Sequence, residues 1–419
     1  VDNTKIRLSY GKLGNQNTDD TYAYLEEIVT GQTLNYTLDG TSKLQYSKPS
    51  DPKTSYLTWE TIATWNIGLD MSFLNNRLTF TGDYFIRNTE GMLADSYELP
   101  GVFGAKTPDE NCADLRTNGW ELYLGWNDSF ALMGKRFNYT VSATLGDNKT
   151  VFTKFNNPEK NLSNHYEGKV WGEIWGYRVD GLFASDEEAA EYTSKINQDA
   201  VNERILTDKV DPYYRAGDLK FRDLDGDNVI SKGDDTAYDA GDREIIGNET
   251  PRYMYSFRLG ADWNGFDLGI FFQGVGKRDW YPSHLSTGFW GPYSRAFTSF
   301  IPANFMDQCW SEENPGGYLP RFRGYQTFAS SQLGVANDRY LQDASYIRLK
   351  NLTVGYTLPV LKKVFTKLRV YFTGENLWYW SPMKKYTKYI DPEAAGGNGN
   401  TGMAYNYSRN FSVGVDITF

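Results

Sequence analysis

The stretch WETIATWNIGLDMSFLNNRLTFTGDYFIR, residues 59–87, decides the fold of this chain. Its uncharged side chains alternate with polar ones, at odd positions as far as Phe73 and at even positions from Leu78 onward. A two-residue turn at Asn75-Asn76 accounts for the change, because such a turn keeps the uncharged side chains of both strands on one face. This period of two predicts strands, and the two runs together predict a long β-hairpin. The charged residues, which all fall on the other face, are Glu60, Asp70, Arg77, Asp83 and Arg87.

The length of this hairpin favours a membrane protein. Its strands have about fifteen and ten residues, whereas strands of globular sheets average about five or six. A tilted strand needs about nine to eleven residues to cross a bilayer, and aromatic residues near the ends of an uncharged face suit lipid. A long hairpin in a soluble sandwich or propeller is the alternative. The predicted cross-strand pairs are Phe73 with Leu78, Met71 with Phe80, Ile67 with Tyr84 and Trp65 with Ile86.

The composition is compatible with a membrane barrel. The chain has 419 residues, a formal net charge of −10 and 16% aromatic residues. No run of about eighteen apolar residues is present, so no transmembrane helix is predicted. The mean hydropathy of −0.58 does not exclude a barrel, because every second residue of a barrel strand faces a polar interior. The negative charge argues against a nucleic-acid partner.

Alternating stretches recur along the whole chain, and short turns alternate with long loops between them. Counting Trp175–Phe183 as a strand gives roughly eleven strands, and Asp186–Ala200, capped by Ser185, is the one convincing helix. Long loops on one side only are typical of outer-membrane barrels. The predicted long loops include residues 15–57, 146–251 and 275–342.

Two local features refine the strand assignment. Asn264-Gly265 predicts a tight hairpin that sets Asp262 opposite Asp267, which is unfavourable unless both carboxylates are in water. That turn is therefore expected at an aqueous rim. The apolar parity slips near Lys350-Asn351, which predicts a β-bulge. The last strand ends in Phe419, as the final strands of bacterial outer-membrane barrels do.

Several longer segments share a recognisable order and spacing over almost the whole chain. They include IRLSYGKLGNQ (6–16), NCADLRTNGWEL (111–122), EGKVWGEIWGYRVDGLF (167–183), GDLKFRDLDGDNVI (217–230), ASYIRLKNLTVGYTLP (344–359) and LRVYFTGENLW (368–378). Together they resemble the SusC/RagA-like family of TonB-dependent outer-membrane transporters.

The resemblance implies an all-β fold, a transmembrane antiparallel β-barrel of about 22 strands. It also implies an N-terminal plug, a TonB box that contacts the energised inner-membrane complex, and a SusD-like surface lipoprotein that covers the barrel as a lid. The match covers the family's C-terminal half, so we expect residues 1–419 to form the C-terminal portion of the barrel. We expect the plug and the TonB box to be absent from this chain, and residues 146–251 and 275–342 to be extracellular.

The sharpest local motif is DLDGDNVISKGD, residues 223–234. Calcium takes about six to eight oxygen ligands, and alternate residues of a curled loop can supply them. The spacing is similar to that of an EF-hand loop, except that Gly226 stands fourth, Asn228 stands sixth, and the twelfth residue is Asp rather than the usual bidentate Glu. A solvated acidic turn held by side-chain hydrogen bonds is the alternative. The predicted calcium ligands are Asp223, Asp225, Asp227, the Val229 carbonyl, Ser231 and Asp234.

Aromatic residues of the long loops are the candidate substrate contacts, because their rings can stack on sugars or peptide side chains. The alternative for each of them is packing in a loop core or against the lid. The candidates are Trp171, Trp175, Tyr177, Trp280, Trp290 and Tyr293.

No catalytic motif is predicted. His165 and His284 have no metal-site or triad spacing, and no phosphate-binding glycine loop is present. Cys112 and Cys309 form either one disulfide or two unrelated free thiols. The protein is therefore not expected to be an enzyme.

Three functions remain open at this stage. The first is TonB-dependent import of oligosaccharides or peptides across a bacterial outer membrane, with a SusD-like lipoprotein as partner and outer-membrane lipid around the barrel. The second is a passive outer-membrane porin. The third is a soluble, calcium-dependent carbohydrate-binding β-protein.

Overall fold

The structure is a computed structural model. It describes residues 1–16, 24–37, 40–54, 57–95, 102, 104–105, 107–299, 301–328, 330–359, 366–396 and 405–419. In this described part of the chain, no helix has the length and apolar character needed to cross a membrane.

Strands account for most of the regular structure, and the few helices are short. The strands are β1 (Asn3–Asn15), β2 (Ile28–Thr37), β3 (Lys43–Pro49), β4 (Glu60–Phe73), β5 (Leu78–Asp95), β6 (Asp109–Leu132), β7 (Lys135–Lys154), β8 (Glu173–Tyr177), β9 (Val179–Leu182), β10 (Leu219–Phe221), β11 (Arg243–Asn248), β12 (Arg252–Trp263), β13 (Phe266–Lys277), β14 (Asp279–Trp280), β15 (Cys309–Trp310), β16 (Leu319–Arg321), β17 (Gln342–Asp343), β18 (Tyr346–Leu358), β19 (Lys367–Trp380) and β20 (Asn410–Thr418). The α-helices are α1 (Asp186–Thr193), α2 (Glu203–Leu206) and α3 (Thr287–Trp290), and 3₁₀ turns span Asp199–Val201, Gly291–Tyr293, Met306–Gln308 and Pro382–Lys385.

Ten strands form one antiparallel sheet in the order β1-β4-β5-β6-β7-β12-β13-β18-β19-β20. The predicted count of roughly eleven is close, and the difference lies at Trp175–Phe183. That segment contains β8 and β9, which pair with β11 and β10 in separate two-stranded sheets. Alternation in a short apolar run is satisfied equally by short strands packed inside a loop body, and Tyr177 and Phe183 are indeed buried.

The β4–β5 hairpin has the predicted register. Phe73 faces Leu78, and the pairing continues to Trp65 opposite Ile86 and beyond. Asn75 and Asn76 have φ angles of 57° and 59°, the positive values that a type I′ turn requires at both central positions.

The two faces of this hairpin differ in charge as predicted. Trp65 and Ile67 project from the uncharged face and are 59% and 50% exposed. On the other face Arg7 of β1 donates to Asp70 and Asp83, with 2.8 Å from Nε to Asp70 Oδ2 and 2.8 Å from Nη2 to Asp83 Oδ2. A Cβ at Gly68 would lie 2.6 Å from the Arg7 guanidinium carbon, so glycine leaves room for this ion-paired triad.

The carboxylates of Asp262 and Asp267 are opposite each other, as the Asn264-Gly265 turn predicts. Each carboxylate interacts with a different side chain. Asn138 Nδ2 donates to Asp262 Oδ1 at 2.8 Å, and Arg369 Nη2 lies 2.6 Å from Asp267 Oδ2. Asn138 on β7, the neighbour of β12, and Arg369 on β19, which lies beyond β18, thus relieve the like-charge contact.

The predicted bulge in β18 is confirmed. The register with both neighbours shifts between Leu349 and Asn351. Against β13, Lys350 is the extra residue, whereas against β19 the extra residue lies on β19, between Glu375 and Trp378. Lys350 Nζ lies 2.8 Å from Glu393 Oε1, and the buried Arg348 pairs with Asp391. The bulge therefore helps to hold the β19–β20 connection against the sheet.

Two predicted segments need correction. Residues 15–57 are not loop throughout, because β2 and β3 pair within them. The predicted helix Asp186–Ala200 is capped by Ser185 Oγ, which accepts from Glu188 N at 3.1 Å, but α1 ends at Thr193. It cannot continue, because the backbone of Asn197 is bonded to Asn228 and Ile230.

The strands that the long connections join have the joined termini at one end of the large sheet. In an antiparallel meander successive connections alternate between its two ends, and here every second one is long. The long connections are residues 16–59, 96–108, 155–251, 278–345 and 381–409, and the short ones are 74–77, 133–134, 264–265 and 359–366.

A charge on the uncharged face should block assembly. We expect Ile67→Lys to cost up to about 4 kcal/mol in a bilayer, because the ammonium would enter hydrocarbon. The amount of folded full-length protein in outer-membrane fractions, measured by heat-modifiable gel mobility, should fall several-fold. Asn66→Lys, one residue away on the ionic face, is the matched control and should assemble normally. Equal loss for the two variants would contradict the assignment of the faces.

Candidate functional site

The long connections build a packed body whose core is aromatic, and three candidate substrate contacts lie within it. Trp280, Trp290 and Tyr293 are 2%, 0% and 0% exposed. Trp290 Nε1 donates to the carbonyls of Pro282 and Ser283 at 3.1 Å. Their ring faces are occupied by protein, so the packing alternative describes them and a ligand cannot stack on them here.

The other three candidates are more accessible or line a cavity. Trp171 is 44% exposed and stacks on Phe152 with ring centroids 5.6 Å apart. Trp175 and Tyr177 lie in β8 and line a cavity of about 620 Å³. That volume is within the range of about 300–1,000 Å³ that small-molecule sites occupy.

The cavity also contains charged residues that the sequence did not single out. Asp199 and Glu203 contribute carboxylates, whereas Lys232 and Arg243 contribute cations. These four residues come from separate parts of one long connection, so no regular spacing in the sequence predicts that they line the same cavity. Ser330, Val335 and Ala336 complete the wall from the next connection.

Backbone hydrogen bonds fix the two walls of this cavity relative to each other. Glu203 N, at the start of α2, donates to Ser330 O at 2.9 Å. Tyr177 N donates to Ala336 O at 2.9 Å, and Asp338 N donates back to Tyr177 O at 3.1 Å. The cavity thus lies in the interface between residues 155–251 and residues 278–345.

A buried ion pair also stabilises this interface. Asp218 is 0% exposed, and Arg323 donates to both of its carboxylate oxygens, at 3.1 Å from Nε and 3.0 Å from Nη2. Burial raises the pKa of Asp218, while the attraction of Arg323 lowers it. Arg215 N also donates to Asp218 Oδ2 at 2.9 Å, but Arg323 is the cation that compensates the charge of this fully buried carboxylate.

The acidic loop brings three predicted calcium ligands together. One carboxylate oxygen from each of Asp223, Asp225 and Asp227 lies within 4.8 Å of the others. Asp223 also accepts from Gly226 N at 2.7 Å and Asn228 N at 3.0 Å. Asn228 has a φ of 65°, the left-handed conformation that Asn tolerates.

The remaining predicted ligands are arranged differently. Asp234 is not part of the three-carboxylate group, and Ser231 Oγ accepts from Gly233 N at 3.0 Å. The buried Asp242, which sequence reasoning missed, accepts from Leu224 N at 2.7 Å and Ser231 N at 2.8 Å, closing the loop at both ends. Burial raises the pKa of Asp242, and the charges of Asp225 and Asp223 raise it further.

Cys112 and Cys309 do not form a disulfide, which decides between the alternatives left open by the sequence. Cys309 is buried and Cys112 is partly buried.

The long antiparallel strands, the uncharged outer face, the ionic inner face and the one-sided long loops define an outer-membrane β-barrel protein. The chain belongs to the TonB-dependent receptor β-barrel family, because residues 1–222 match the family described as "TonB dependent receptor-like, beta-barrel". The resemblance to the SusC/RagA-like transporters is confirmed by the relatives. The protein is therefore located in the bacterial outer membrane.

The chain is 28% identical to TonB-dependent receptor P26 of Formosa agariphila, over 99% of this chain and 40% of that protein. It is 24% identical to TonB-dependent receptor SusC of Bacteroides thetaiotaomicron, over 99% of this chain and 37% of that protein. A solved structure of the RagAB peptide transporter matches with a TM-score of 0.69 and 22% identity, covering 99% of this chain and 41% of that one. The chain thus spans about 40% of the length of the relatives it matches.

Removing the Arg323 cation from its buried pair with Asp218 should weaken the interface between the two long connections. We expect Arg323→Met to destabilise the loop body by about 3–5 kcal/mol, because Asp218 would remain buried and charged. Hydrogen exchange of the amides in residues 211–222 of the full-length protein measures this loss.

The double variant R323M/D218N should recover part of the stability. The pKa of Asp218 is raised in the folded state, so its protonation removes a buried charge as the pH falls. The loss in Arg323→Met should therefore shrink at lower pH. A loss that is independent of pH, with no recovery in the double variant, would mean that the arginine acts by packing alone.

Proposed function

We propose that this chain is the C-terminal portion of a TonB-dependent importer that carries oligosaccharides or peptides across the outer membrane. The family match carries the proposal, and the loop body with its charged cavity supports it. The barrel would supply the path, and the long connections, which we place outside the cell, would contact the nutrient.

The partners follow from the same proposal. A SusD-like lipoprotein would cover the outer loops, and a plug with a TonB box, supplied by a part of the protein beyond these residues, would couple it to the energised inner membrane. Exposed aromatic side chains on the loops support a contact surface for the lid, since Tyr213, Tyr238 and Phe297 are 63%, 71% and 89% exposed. RagAB, a structural relative, is described as a peptide transporter.

The other two hypotheses fare differently. The soluble carbohydrate-binding protein is wrong, because the chain belongs to an outer-membrane family. A passive porin differs from an importer in its energy requirement, so the two are separated by experiment. The family consists of transporters, and an enzymatic activity has no support from it.

Energy dependence is the decisive test of import. In a strain that lacks the gene and carries the full-length copy, uptake of labelled oligosaccharides and peptides should require the gene and stop when a protonophore collapses the proton gradient. Deleting the TonB box of the full-length protein should abolish the same uptake and leave its amount in the outer membrane unchanged.

Uptake that survives both the protonophore and the deletion would favour the porin. Pull-down of the tagged full-length protein tests the partner, with a surface lipoprotein in equal amount as the expected result.

We propose further that residues 223–234 bind calcium, with Asp223, Asp225 and Asp227 as the carboxylate ligands. The three clustered oxygens support this, since hard oxygen donors are what calcium prefers. The Val229 carbonyl, Ser231 and Asp234 would complete the shell only if the loop closes further. The ion would offset the repulsion among these acids.

Calcium should protect the wild-type protein against heat, because binding to the folded state stabilises it. We expect a chelator to lower the melting temperature of the loop body in the full-length protein by several degrees, and D225N/D227N to abolish that response. E312Q/E313Q removes two exposed acidic charges elsewhere and should keep the response. If the wild type has the same melting profile with calcium and with chelator, the alternative of a solvated acidic turn without calcium is favoured.

A further inference from the structure

The cavity in the loop body extends to both sides of one carboxylate. Glu203 lines the cavity of about 620 Å³ and also a second cavity of about 380 Å³. Within the described residues its carboxylate has neither a hydrogen bond nor an ion pair, and the contacts of Glu203 are made by its backbone. A negative charge is thus available where the two cavities meet.

A cation on the same cavity is also weakly engaged. Lys232 Nζ lies 3.4 Å from Asp235 Oδ2 and the side chain is 66% exposed. Arg243, in contrast, is committed, since Nη2 donates to Asp235 Oδ1 at 2.6 Å and to Lys232 O at 3.0 Å. Lys232 is therefore the cation that a ligand can recruit without breaking a strong pair.

The other carboxylate of the cavity is partly engaged. Asp199 Oδ1 accepts from the hydroxyl of Tyr214 at 2.9 Å. Two acids and two bases line the cavity, so it offers charges of both signs and little net charge.

The uncharged part of the cavity wall can contact the side chains and the backbone of a peptide ligand. Trp175, Val335 and Ala336 provide apolar surface beside these charges. In the second cavity Tyr325 and Phe328 form an aromatic wall, and the Arg204 guanidinium lies over the Tyr325 ring at 5.5 Å. Apolar side chains of a ligand could therefore be accommodated on either side of Glu203.

The charge pattern distinguishes between ligand classes. A neutral oligosaccharide that covers Glu203 and Lys232 would remove their water and give no counterion in return, which is costly. A ligand with an ammonium group and a carboxylate would replace that water by charge-assisted hydrogen bonds at both ends. A short peptide has both groups, and its side chains match the apolar wall.

We propose that this cavity binds peptides, with Glu203 pairing with a ligand ammonium group and Lys232 pairing with a ligand carboxylate. The inference rests on the proposed import function and deepens it, because it selects peptide over neutral oligosaccharide as the substrate class.

Calorimetric titration of the purified full-length protein tests this pairing. The probes are a pentapeptide with free ends, the same pentapeptide acetylated at its N-terminus, the same pentapeptide amidated at its C-terminus, and maltopentaose. The wild type should bind the free peptide most tightly and maltopentaose not at all. Glu203→Gln should weaken the free peptide roughly tenfold, equivalent to about 1.4 kcal/mol, and leave the acetylated peptide unchanged.

Lys232→Gln should weaken binding of the peptide with free ends roughly tenfold and leave the affinity for the amidated peptide unchanged. Glu191→Gln is the matched control, because Glu191 is an exposed acid of α1 that pairs with Lys195 at 2.7 Å, and the affinities of this variant should equal those of the wild type. Heat-modifiable mobility verifies that every variant is folded.

Three outcomes would overturn the inference: no peptide binding by the wild type, an equal loss for free and acetylated peptides in Glu203→Gln, or tight binding of maltopentaose. Each of them leaves the import proposal standing if uptake remains sensitive to the protonophore. Passive uptake, in contrast, would overturn the import proposal and leave the measured peptide affinities unaffected.

Discussion

The two-residue period of the strands is the constraint on which the rest of this structure depends. In hydrocarbon every backbone N–H and C=O must pair with a neighbouring strand, and every second side chain must face lipid. The eight inner strands of the sheet are paired on both sides, and Trp65 and Ile67 project on the side opposite to Arg7, Asp70 and Asp83. The charges of Arg7, Asp70 and Asp83 thereby share one face, where they form ion pairs with one another.

That constraint also explains where the protein keeps its conventional core. A barrel wall is one layer thick, so the large sheet has no apolar interior of its own. The buried side chains, such as Trp290, Tyr293 and Tyr340, lie instead in the long connections. Ion pairs join this body internally and to the wall, as Arg323 does with Asp218 and Arg348 with Asp391. The wall can then keep a uniform outer surface while the loops carry recognition.

The sequence predicts what is local and periodic. The hairpin register, the opposed Asp262 and Asp267 and the bulge at Lys350 all follow from parity and turn chemistry, and all are present. The cavity around Glu203 could not be predicted, because its walls come from segments more than a hundred residues apart and have no shared spacing. The aromatic candidates divide in the structure, since composition cannot separate a ring that lines a cavity, as Trp175 does, from one that packs inside a loop core, as Trp280 does.

The most direct test of the account is the accessibility of spin labels along residues 63–70 in the full-length protein in bilayers. Labels at odd positions should be relaxed by oxygen, which concentrates in lipid, and labels at even positions by a water-soluble nickel complex. A period of two with that phase is the expected result. Accessibility without alternation, or with the opposite phase so that position 70 faces lipid and position 67 faces water, would contradict the membrane assignment.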